Sequence, residues 1–124
     1  MAYKVRKKDF RTFVDLFKKY STHLGITGWE MYFYHTPLSD DVVSNVYGEL
    51  PSRQVSIRLN KKSAVPPTHS VLDNIARHEA LELFMLRLSE KAQDRYTTCD
   101  DIQEARHEII QKLMNSSIFD GAIK

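Results

Sequence analysis

In Ala76–Phe84, ARHEALELF, one histidine and two glutamates stand among leucines, alanines and a phenylalanine. A charge held among apolar neighbours is costly unless it is paired, hydrogen-bonded or bound to a metal. His78 and Glu82 are four residues apart, so on a helix they neighbour each other on one face. Two ligands one turn apart can reach a single ion. A glutamate beside the histidine, here Glu79, can then act as general base, as in the HExxH metal helix. With Glu82 in the last position the motif is HExxE. A carboxylate oxygen is an acceptable zinc ligand, and it lowers the positive charge of the site.

At about 100° per residue, Glu82 lies about 40° and Glu79 about 100° from His78. Val71, Leu72, Ile75, Met85 and Leu86 share that arc, so the three ionisable groups sit among apolar positions. A metal-free arrangement fits the same pattern. The carboxylates could be satisfied by Arg77, by Arg106 or by backbone groups. Arg106 falls within the stripe Cys99, Ile102, Ala105, Ile109, Ile110 and Leu113 of a later helix. Facing Glu79 or Glu82, it would neutralise them without an ion. The wheel leaves both arrangements open.

The elements that must position these groups follow from periodicity and punctuation. Phe10, Phe13, Val14, Phe17 and Leu24 predict a first helix from Phe10 to Leu24, capped by Asp9 and ended by Gly25. Trp29–Tyr34 alternates as a half-buried strand. Val42–Leu50 is a weaker strand, broken near Gly48. Gln54–Asn60 alternates cleanly, and the turn Leu50–Arg53 joins the last two strands as a hairpin. Pro66-Pro67 stiffens a loop from Lys61 to His69. Ser70 and Asp73 make a capping pair for a second helix, Val71–Lys91, and Thr98 with Asp101 starts a third, Cys99–Asn115. The tail 116–124 is short and expected to fray. The expected architecture is α+β: an N-terminal helix, a small three-stranded mostly antiparallel sheet and two C-terminal helices, in one domain over 1–124.

Composition narrows the function classes. No apolar run approaches the length a membrane helix needs, and MAYKVRKKDF has charge but no apolar run behind it, so no secretory signal is expected. The single cysteine, Cys99, excludes an internal disulfide framework and makes the cytoplasm the default compartment. It reads as a cap-region residue packed on the third helix's stripe. A net charge of +2 is too small to imply nucleic acid, and no nucleic-acid motif is present. Charge is uneven, however: Lys4, Arg6, Lys7, Lys8, Arg11, Lys18 and Lys19 stand against only Asp9 and Asp15. That is either a solvated helix face or a weak anionic contact surface. His23 sits near a helix end, where a cation is favoured. His35 and His69 fall in loops, from which either could be recruited to a metal.

Trp29 after an N-terminal helix, the hairpin ending in Val55, Ile57 and Leu59, then RHEALEL (Arg77–Leu83) and EARHEIIQKL (Glu104–Leu113) together resemble a family. It is that of small phage-encoded metallopeptidases, minimal zincins similar in layout to SprT-like proteins. The order of elements matches over nearly the whole chain. The specific part is confined to the two motifs. The resemblance implies a zinc site with His78 and Glu82 as ligands, Glu79 as base and a third ligand from the following helix. His107 matches that third position, Glu104 competes with it, and Glu108 comes after both. It also implies that strand Gln54–Asn60 is a sheet edge receiving an extended peptide. A tyrosine or His69 could stabilise an oxyanion, and Tyr96 precedes the third helix. Three functions stay open: a zinc peptidase acting on a protein or peptide in the cytoplasm of the phage's host, a non-catalytic module of the same fold with a structural metal or none, or, carried by the basic first-helix region alone, a nucleic-acid accessory module. The small chain leaves little material for a cleft, which favours the second.

Overall fold

The computed structural model describes residues 2–26, 28–49, 52–93 and 99–114. Thr98, Leu50 and Pro51 of the expected turn, Tyr96 and the tail 116–124 lie outside them. The elements run β1 (Tyr3–Lys4), α1 (Lys7–His23), β2 (Glu30–His35), β3 (Ser44–Glu49), β4 (Gln54–Leu59), β5 (Lys62–Ser63), α2 (His69–Gln93) and α3 (Cys99–Met114). This is the expected α+β layout, with a small β1–β5 ladder added.

Helix α1 begins three residues before the expected start. The Asp9 carboxylate accepts the Arg6 N–H at 2.9 Å, so Asp9 reaches backward from the first turn instead of capping from outside. Phe13, Leu16, Phe17 and Tyr20 are buried on one stripe, as their spacing requires. At the other end Gly25 takes φ +73°. Its N–H donates to Thr22 O at 3.0 Å, and Ile26 N–H donates to Ser21 O at 2.9 Å. Those two bonds satisfy two of the helix's last carbonyls, Ser21 and Thr22, and the left-handed position is best filled by glycine.

The main sheet has the order β2-β4-β3. β3 and β4 form the expected antiparallel hairpin, closed by Arg53 N–H to Glu49 O at 2.9 Å. β2 pairs with β4 in parallel, from Glu30↔Gln54 to His35↔Leu59. The sheet is therefore mixed, because the chain crosses the end of β4 before returning as β3. This also moves Gln54–Leu59 from an edge to the centre. Val55, Ile57 and Leu59 are at most 1 % exposed, and the strand's hydrogen bonds are taken on both sides. It cannot receive a further chain.

Asn60 fixes the crossing segment. Its Oδ1 accepts the N–H of Leu38 and of Lys62, both at 3.2 Å. Its Nδ2 donates to the carbonyls of Leu38, Ser39 and Val42 at 3.4, 3.1 and 2.8 Å. β3 runs unbroken through Gly48, where a Cβ would stand 2.5 Å from Leu86 Cδ2 and 3.3 Å from Trp29 Cζ3. Lack of a side chain here lets α2 lie close against β3.

Helix α2 starts at His69, and Thr68 performs the capping role expected of Ser70, its Oγ1 accepting Val71 N–H at 3.3 Å. Asp73 is turned inward instead. It accepts the Tyr20 hydroxyl hydrogen bond and pairs with Arg77 Nε at 3.3 Å, tying α1 to α2. Burial of Tyr20, with Asp73 beside it, holds the phenol well above its ordinary range. On α3, Ile110 is buried, but Cys99 and Ile109 are exposed, so the expected stripe is narrower than its spacing suggested. No helix among the described residues is long and apolar enough to cross a membrane.

Candidate metal centre

Helices α2 and α3 pack together and bring His78, Glu82 and His107 to one place. One potential ligand atom from each lies within 4.8 Å of the others. The His78 and His107 rings stack with centroids 5.9 Å apart and an interplanar angle of 24°. His78 Nε2 lies 3.4 Å from Glu82 Oε1. An imidazole pair with one carboxylate is a donor set that divalent cations accept, and these residues could hold a metal. Glu104, Glu108 and His69 are exposed and outside the group, and the half-buried His35 is outside it too. His35 is not in a loop: it ends β2 and stacks on Phe10 at 5.0 Å. His69 is the first residue of α2, nine positions before His78 and so roughly 14 Å away along the axis.

Arg106 is also at the site. Its Nη2 lies 3.3 Å from Glu82 Oε2, with both side chains less than a fifth exposed. The metal and arginine arrangements are therefore compatible. Arg106 engages one carboxylate oxygen while the other faces His78. Burial works against the charge of Glu82, yet the His78 hydrogen bond and the cationic Arg106 hold its carboxyl below the ordinary range. The hydrogen bond to Glu82 raises His78 against the effect of its own burial.

Glu79 is the deepest of the three motif residues, at 6 % exposure. Burial pushes its carboxyl up to about 7, against the opposing pull of His78 and of a hydrogen bond from Ser44. Ser44 opens β3. The wheel put His78, Glu82 and Glu79 in one arc; in the fold the arc is split. His78 and Glu82 face α3, while Glu79 turns toward β3.

A cavity of about 590 Å³ lies over this point. Asp41–Ser44 form one wall, Asn74, Ile75, Arg77, His78 and Glu79 the floor, and Gln111 and Met114 the far side. The small chain thus does build a cleft, from the β2–β3 crossing and the two last helices. Sequence reasoning missed Ser44 and the Asp41–Val43 wall. No motif marks them, since they reach the site only through the crossing that Asn60 holds. Comparison with known proteins finds no family model, no curated protein and no solved structure that matches this chain.

Proposed function

We propose that this chain is a zinc-dependent metallopeptidase of the cytoplasm, with His78, Glu82 and His107 as metal ligands and Glu79 as general base. The observation that carries the reading is Glu79. A buried carboxyl near neutrality, on the floor of a cleft and next to a His–Glu–His donor group, suits proton transfer at pH 7. When bound, the ion would supply Lewis-acid polarisation of a carbonyl and activation of water.

The protein's own residues do the rest. Glu79 takes a proton from attacking water and returns it to the leaving amine. The Ser44 hydrogen bond fixes the carboxyl's orientation. Arg106 holds Glu82 in the direction its ligand role needs. An extended substrate has a strand to pair with: β3 borders the cleft, and its outer edge pairs with no strand among the described residues. This replaces Gln54–Leu59, which is central, in that role.

One observation favours a second reading, a non-catalytic module without metal. Arg106 already gives Glu82 a cationic partner. Elemental analysis of protein purified without chelator, followed by chelation and zinc re-addition, separates the two. Peptidase chemistry requires about one zinc per chain and a thermal shift on re-addition. His107→Ala should weaken zinc binding far more than Glu104→Ala; the reverse order would transfer the ligand role. Glu79→Gln should fold, retain zinc and lose hydrolysis of an unstructured protein by ~10²–10⁴-fold. Zinc-loaded wild type that cleaves nothing in a broad peptide library would end the peptidase reading.

A further inference from the structure

The β1–β5 ladder gathers charges that are far apart in the sequence. It pairs Tyr3 with Ser63 and sets Lys4 directly opposite Lys62. Like charges facing each other across an antiparallel pair are destabilising. Two clefts share Tyr3 and Lys4. One, of about 330 Å³, is also lined by Arg6, Lys8 and Pro67. The other, of about 520 Å³, is also lined by Lys61 and Lys62. Tyr3 stands between them with 45 % of its surface exposed. The one carboxylate on the clefts, Asp9, is already engaged by the Arg6 N–H.

These clefts hold five cations, Lys4, Arg6, Lys8, Lys61 and Lys62, against one carboxylate. The remaining thirteen cations of the chain stand against fifteen carboxylates. The small net charge thus conceals a positive pole on a slightly negative body. The first helix region accounts for only part of that pole; Lys61 and Lys62 complete it through the fold.

We propose that this face binds single-stranded nucleic acid. An aromatic ring exposed between two cationic clefts offers a base a stacking surface and gives the flanking phosphates ammonium and guanidinium partners. Duplex DNA hides its base faces, so it could use the lysines but not the Tyr3 ring. A strand passing over Tyr3 would also neutralise the Lys4–Lys62 opposition.

The test is fluorescence anisotropy with a labelled 20-nucleotide oligo-dT, a duplex of the same length, and vesicles containing phosphatidylserine as the anionic surface without bases. Oligo-dT should bind at low salt, at least tenfold more tightly than the duplex. Each phosphate contact contributes about −0.7 to the salt slope for single strands, so four or five contacts give roughly −3. Tyr3→Ala should weaken oligo-dT binding about tenfold without changing that slope. Lys62→Glu should lose at least tenfold while folding as well as wild type or better, since it places a carboxylate opposite Lys4. Lys19→Glu, on α1 and outside the clefts, should change little. No oligo-dT binding at low salt overturns the proposal. So does equal affinity for duplex together with indifference to Tyr3→Ala. Vesicle binding without oligo-dT binding would assign the face to lipid headgroups instead. None of these readouts depends on the metal or on hydrolysis.

Discussion

Removing Arg106 should cost different amounts with and without zinc. Its Nη2 lies 3.3 Å from Glu82 Oε2, in a contact where the side chains are 18 % and 17 % exposed. At an effective dielectric constant of about 20, a pair at that distance attracts by roughly 5 kcal/mol before desolvation. Desolvation and side-chain ordering remove most of that, leaving a net contribution of about 1–2 kcal/mol for a partly exposed pair. Arg106→Gln in chelator should therefore lower the Tm by roughly 4–8 °C. A bound ion gives Glu82 a second cation, and the substitution then also removes the repulsion between Arg106 and that ion. In saturating zinc the same substitution should cost half as much or less, so the zinc-induced stabilisation should be larger in the variant than in wild type. Differential scanning fluorimetry of both proteins, in chelator and in zinc, gives the four numbers required. An equal loss in both conditions would mean that Glu82 does not face the ion, and the ligand assignment would fail with it.

Gly48→Ala should destabilise by about 1–3 kcal/mol, because the new methyl meets Leu86 and Trp29 where α2 approaches β3; urea unfolding measures this, and a loss under ~0.5 kcal/mol would show that Leu86 swings aside freely. His35 should make the fold acid-sensitive. Burial, with Lys61 nearby, lowers its folded-state pKa. Its contribution is complete above the unfolded value of about 6.5 and is lost as pH falls below it, because only the unfolded chain then gains a proton. His35→Gln should consequently lose less stability than wild type between pH 7.5 and 5.5 in thermal unfolding; equal losses would remove His35 from the account.

The helices and the strand alternation were legible because burial imposes their periods. Phe13, Phe17 and Tyr20 on α1, and Val55, Ile57 and Leu59 on β4, are buried as their spacing requires. Strand order was not legible. The period of Gln54–Leu59 says which face is buried, but says nothing of whether one edge or two are paired. Capping signals misled in a regular way. Asp9 and Asp73 have the composition of cap residues, yet one bonds backward from inside the first turn and the other is drawn inward by Tyr20. His78, Glu82 and His107 were selected by motif, and the packing of α2 on α3 brings them together. The cleft wall was beyond reach, because Asp41–Ser44 are placed by the Asn60 side chain through hydrogen bonds that leave no pattern in the sequence.

The parallel pairing of β2 with β4 also orders the assembly of the chain. The β3–β4 hairpin closes over a short turn, and such closures take microseconds. β2 reaches its partner only after the intervening strand and crossing have been accommodated, a slower, non-local step. Until then one side of β4, the most apolar strand of the sheet, presents its backbone groups to any passing chain, which makes this interval the one most exposed to aggregation. Pulse-labelled hydrogen exchange should show the β3–β4 amides protected before those that join β2 to β4. The reverse order would mean that the parallel pair forms the nucleus, and that the hairpin is laid down upon it.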